Sequence, residues 1–163
     1  MSFSASAQAS NDFLTGRKQV PNAAGVELIA QRFSINLTTA DLGAAVIGAI
    51  GILPAGHLPV GIEVDASQLD SNGSPTLAYS IGILNAAGTA ISTASADGGA
   101  AWATGQTTGR TAGGSASGTI ASRPMKTAVQ STTSDRQIGI LISGAAATAV
   151  AGDLNLTLTY RAA

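Results

Sequence analysis

Four stretches of this chain alternate apolar and polar or small residues with a period of two. That alternation constrains its fold more than any other feature. Phe33, Ile35 and Leu37 alternate with Arg32, Ser34 and Asn36; Leu58, Val60, Ile62 and Val64 repeat the pattern. Leu77, Tyr79, Ile81 and Ile83 do the same, as do Leu154, Leu156, Leu158 and Tyr160 against Asn155, Thr157 and Thr159. A strand points successive side chains to opposite faces, so this spacing marks half-buried β-strands. Thr127–Gln130 and Gln137–Ile142 read as further strands, with shorter ones at Ala90–Ala94 and Gly118–Ser122. No long segment carries helical spacing with caps. Roughly eight short strands joined by Gly, Pro and Asn turns predict an all-β fold: an antiparallel β-sandwich, a jelly-roll or a small barrel.

The joints carry their own chemistry. Leu42–Leu53 is the most apolar window and contains Gly43, Gly48 and Gly51. As a helix it would lose about 1 kcal/mol at each glycine. As buried strand with a bulge or bend it tolerates them. It is shorter than the roughly 20 apolar residues of a membrane span. Asp70-Ser71-Asn72-Gly73-Ser74-Pro75 separates two alternating runs, and Asn-Gly is the strongest short hairpin signal because both residues accept positive φ. The expectation is a hairpin over residues 58–84, with Gly73 at its tip at φ above zero.

The organisation expected is an N-terminal arm over residues 1–24 and one β domain over 25–163, with a long Gly/Ala/Ser/Thr-rich loop at about 95–118. The arm is polar and aperiodic. Phe3, Phe13, Leu14 and Val20 are its only anchors, and Arg17-Lys18 its only adjacent basic pair. Aromatics make up 4% of the chain, which suits thin, closely packed sheets better than a deep aromatic-walled pocket. Charged residues are 10% and the net charge is −1, so there is no electrostatic footprint for nucleic acid. Such sparse charge also suits a surface covered by partners. Cysteine is absent, which excludes disulfides and thiolate metal sites and fits assembly in a reducing cytoplasm. The N-terminus has neither the basic nor the apolar region of a signal peptide.

Catalytic constellations are hard to assemble from these residues. A Ser-His-Asp triad would have to use His57, the single histidine, with Asp65, Asp70 or another Asp as orienter. Gly113–Gly118 does not match the nucleophile-elbow spacing, and His57 reads more simply as a turn residue bonded locally. Asp65, Asp70, Asn72 and Ser74 suggest a calcium loop, but its first ligand position falls on Gln68, so a turn capped by Asx side chains is the plainer reading. Glu27 and Glu63 do not form an evident carboxylate pair. Lys18 and Lys126 lack a glycine-rich approach, and no dinucleotide or P-loop motif occurs. No metal, no cofactor and no enzymatic activity are expected. Trp102 and Arg110 stand alone in the small-residue loop. Trp102 is read as an anchor pinning that loop to its own or a neighbouring subunit, with stacking on a sugar ring as the alternative.

One segment carries a resemblance. Ile52-Leu53-Pro54-Ala55-Gly56-His57-Leu58-Pro59-Val60 is followed by Asp65, by Leu69-Asp70-Ser71-Asn72-Gly73-Ser74-Pro75-Thr76-Leu77, and by Ile81-Gly82-Ile83-Leu84-Asn85. These roughly 40 residues resemble a segment of small virion proteins encoded beside the major capsid gene of tailed bacteriophages, the capsid decoration or cement (head-stabilisation) proteins. The resemblance implies a β-rich subunit, often a homotrimer, made in the host bacterial cytoplasm. It implies binding to the major capsid protein on the outer surface of the phage head, where the subunit bridges capsomers. The capsid or subunit contacts expected are Phe3, Phe13, Leu14, Arg17, Lys18, Trp102 and Arg110. Alternatives are a tail-tube or head-fibre component and a carbohydrate-binding module centred on Trp102.

Overall fold

The computed structural model describes residues 27–110, 125 and 128–163. The predicted arm lies outside them, with Phe3, Phe13, Leu14, Arg17 and Lys18. So do the Gly118–Ser122 window and Lys126. The described chain forms β1 (Ile29–Leu37), β2 (Ile47–Leu53), β3 (His57–Ala66), β4 (Ala78–Ile83), β5 (Ala103–Gln106), β6 (Arg136–Gly144) and β7 (Gly152–Ala162). A 3-10 turn at Thr39–Leu42 leads into β2. Two antiparallel sheets result, ordered β1-β7-β3 and β2-β6-β4-β5, and they pack face to face as a β-sandwich.

The core is what the alternation predicts. Phe33, Ile35 and Leu37 of β1, Ile62 and Val64 of β3, and Leu154, Leu156, Leu158 and Tyr160 of β7 point inward from one sheet. Ile50 and Leu53 of β2, Tyr79, Ile81 and Ile83 of β4, and Ile138, Ile140 and Ile142 of β6 meet them from the other. In β3 the pattern shifts phase. A bulge between Pro59 and Gly61 inserts one residue, so His57 and Pro59 are buried before it and Ile62 and Val64 after it. Leu58 and Val60, expected inward, are therefore only half-buried.

The expected 58–84 hairpin does not form. β3 pairs with β7 and β4 pairs with β6, so the two runs belong to different sheets and residues 67–77 cross between them. Gly73 is not among the residues at positive φ. Local turn chemistry suits a tight reversal, but here its side chains build a crossover instead. The Leu42–Leu53 window holds β2, bulged between Ala49 and Gly51. The described part of the long loop, residues 95–110, holds regular pairing: β5 pairs with β4 and Asp97 bridges Val129.

Small residues on the second sheet have a packing role. Gly139 of β6 lies opposite Gly82 of β4 on one side and Ala49 of β2 on the other. Without side chains there, Leu84 settles over Gly139 and Ile91 over Gly82. Ile47, Ala49 and Leu84 form a second buried cluster, closed by Ile91 and Leu141. The chain after β4 thus folds back over the outer face of its own sheet.

Candidate functional site

The polar chemistry of the described residues concentrates at one end of the sandwich, around Asp70. Its carboxylate is fully buried and accepts five backbone N–H groups. Oδ1 takes those of Asn72 (3.3 Å) and Thr148 (3.0 Å). Oδ2 takes those of Thr76 (2.8 Å), Leu77 (3.1 Å) and Ala147 (3.0 Å). Residues 67–77 carry the chain from the first sheet to the second, and residues 145–151 carry it back. One carboxylate therefore clamps both crossovers. Burial alone would raise its pKa, but the N–H dipoles outweigh burial and hold it well below the usual carboxylate range. Asn72 and Ser74, read as possible calcium ligands, serve the same turn: the Ser74 N–H donates to Asn72 Oδ1 at 2.9 Å. A cation at Asp70 would face five N–H dipoles, and the described residues hold no cluster of three or more His, Asp or Glu suited to a metal.

Arg110 works at the same end. Its Nε donates to the Leu77 carbonyl at 2.6 Å and its Nη2 to that of Thr76 at 3.2 Å. The Leu69 and Asp70 N–H groups both donate to the Gly109 carbonyl. The loop is thereby tied to the crossover. Trp102 is 2% exposed and lies in the main core, its backbone N–H donating to the Ile81 carbonyl at 2.7 Å. It pins the loop to its own subunit. Its ring has no free face for stacking on sugar, which corrects the carbohydrate alternative, and it offers no surface to a neighbouring subunit. Sequence alone did not reveal this, because a lone Trp among small residues looks the same whether it is exposed or sunk in the core.

His57 is buried at the first position of β3, just after the β2–β3 turn. Its Nδ1 lies 2.7 Å from the Ala55 carbonyl, and its ring meets Tyr160 edge-on at 5.4 Å. Asp70 is committed to the crossovers, and Asp65 pairs with Arg32, so neither orients the imidazole as a triad requires. Burial pushes the Tyr79 and Tyr160 hydroxyls up to about 12, so both stay protonated at neutral pH.

The outer face of the β1-β7-β3 sheet is a polar network spanning all three strands. Arg32 grips Asp65 through both terminal nitrogens at 2.6 and 2.8 Å. Asn155, on the strand between, donates to Asp65 Oδ1 at 2.8 Å and accepts the Ser34 hydroxyl. The Arg32 hydrogen bonds, with lesser help from Asn155, hold the Asp65 pKa below its ordinary value. Sequence placed Arg32 and Ser34 on the polar face of β1, but not the partners 33 and 121 residues away.

Fold and site together define an all-β sandwich subunit whose polar side chains hold crossovers, loops and strands in place. No protein-family model and no curated protein matches the chain. Among solved structures it is similar to a chain of the capsid of Ralstonia phage GP4, at 30% identity over 93% of this chain and 96% of that one, with a TM-score of 0.71. The chain belongs to the family of that phage capsid component. It also shares its fold with a chain of the cyanophage Pam1 capsid, at 19% identity, 90% and 94% coverage and a TM-score of 0.56.

Proposed function

We propose that this chain is a virion structural protein, a decoration or cement subunit on the outer surface of a tailed-phage head. It binds the major capsid protein, works as a homotrimer and bridges neighbouring capsomers, so it stabilises the shell mechanically and catalyses nothing. The observation that carries this reading is the likeness to a phage capsid chain along nearly the whole length of both proteins. The residues that resemble decoration proteins support it. They supply the β2–β3 turn, the Asp70 clamp and β4, the parts that fix how the two sheets are joined.

In this reading the N-terminal arm is a strap. Phe3, Phe13 and Leu14 anchor it on a neighbouring subunit, and Arg17 and Lys18 meet acidic groups there. Each such exposed ion pair adds only about 0–1 kcal/mol. The test mixes purified protein with undecorated heads and measures co-sedimentation, with analytical ultracentrifugation of the free protein at micromolar concentration. Saturable binding and a trimer are expected. Heads that sediment without the protein would overturn the proposal.

A further inference from the structure

Two places in the chain put glycine directly after an Asn or Asp residue, Asn72-Gly73 and Asp97-Gly98. Such a pair can modify itself, because the glycine nitrogen is one ring closure away from the preceding side-chain carbonyl carbon and glycine brings no side chain to obstruct the approach. The fold treats the two pairs differently. At the second, the Gly98 N–H donates to the Ser95 carbonyl at 3.1 Å. Asp97 accepts the Ser92 hydroxyl at 2.6 Å and Arg136 Nη1 at 3.1 Å. The nucleophile there is engaged, and an ionised, paired carboxylate is a poor electrophile.

At the first pair both residues are exposed. The Gly73 N–H has no acceptor among the described residues, and no atom lies within 4 Å of the space where a Cβ would stand. Nothing in the fold therefore opposes the turn that brings this nitrogen onto Asn72 Cγ. Asn72 Oδ1 accepts the Ser74 N–H at 2.9 Å, a donor placed where negative charge grows as the carbonyl is attacked. Nδ2, the leaving group, donates to Thr148 Oγ1 at 3.0 Å, and the Asn72 N–H reaches Asp70 Oδ1 at 3.3 Å. Residue 72 thus ties the outgoing crossover to the returning one.

We infer that Asn72-Gly73 is a self-modifying site, which converts to isoaspartate in the folded protein and so loosens the Asp70 clamp. Hydroxide takes the Gly73 N–H proton, and the nitrogen forms a bond to Asn72 Cγ. The Cγ–Nδ2 bond then breaks, and Nδ2 takes a proton from water and leaves as ammonia. The product is a five-membered succinimide. Water adds to one of its two carbonyls. Opening at the main-chain carbonyl routes the backbone through Cγ, adds a methylene to the chain and frees a carboxylate; opening at Cγ gives aspartate. Either product has lost the Nδ2 donor to Thr148 and places a new negative charge near the Asp70 carboxylate.

The test incubates the full-length protein at mildly alkaline pH and maps its peptides by mass spectrometry, with isoaspartyl methyltransferase marking isoaspartate. Conversion is expected at Asn72 and not at Asp97. Gly73→Val, whose side chain meets open space, should convert about tenfold or more slowly, because a β-branched residue hinders the attack. The isoaspartate form, separated from the parent by its added charge, should melt about 3 °C or more below it. Asn72 that persists in the folded protein overturns the inference, whether or not it converts in urea. So does isoaspartate at Asp97 ahead of Asn72, a Gly73→Val variant that converts at the parent rate, or an isoaspartate form that melts with the parent. None of these measurements uses capsids, so the virion reading stands or falls separately.

Discussion

Asp70 shows how much one side chain can decide. Asn at this position would turn one oxygen into an NH2 group facing backbone N–H donors, leaving at least two of the five without an acceptor. Asp70→Asn is expected to cost of the order of 3 kcal/mol. Calorimetry should show the melting temperature falling by about 10 °C. The pH dependence follows from the depressed pKa. The folded value lies below the unfolded value of about 3.9. The stabilisation is therefore complete above the unfolded value and is lost as pH falls through it toward the folded one. Melting temperatures measured from about pH 6 down to pH 3 should fall more steeply for the parent than for Asp70→Asn. Equal slopes would remove Asp70 as the acid-sensitive group.

Among the elements, two glycines that look equivalent in the sequence diverge. Gly73 sits in the most conspicuous turn motif, yet it has ordinary φ and open space where a side chain would go. Gly139 sits unremarked inside a strand, yet a Cβ there collides with the Leu84 side chain in a closed cluster. Gly73→Val is expected to change stability by less than about 0.5 kcal/mol, like other surface substitutions. Gly139→Val should cost about 1–3 kcal/mol through overpacking. Urea unfolding of the pair decides the matter; the reverse order would contradict the packing of the chain after β4 over its own sheet. The Asn-Gly motif misled because a turn sequence specifies local dihedral preferences, and these do not say whether the chain returns to the same sheet.

For the whole molecule, both sheets contribute to the core of the described residues, and the proposed strap would act between subunits. Ordering each residue of an arm costs about 1–2 kcal/mol of backbone entropy, which only a partner surface can offset. If the arm is such a strap, deleting residues 2–19 is expected to leave the melting temperature within about 2 °C while weakening capsid binding at least tenfold. Full affinity in the truncated protein would make the arm an idle tail.

Alternation of Phe33, Ile35 and Leu37, or of Leu154 through Tyr160, determined from the sequence alone that these segments are strands and which face each one buries. That information is local, because a two-residue period is a property of the strand itself. The sequence likewise marked Asp70 and its neighbours as turn chemistry. Which strand lies beside which was decided only by tertiary structure. β1 pairs with β7 across more than 100 residues, and β3 and β4 part into opposite sheets although only 11 residues separate them. Period-two patterning says which way a side chain points but carries no label for the partner strand. Burial of Trp102 and engagement of Arg110 depend on neighbours distant in the chain, and so became visible only once the sheets were stacked.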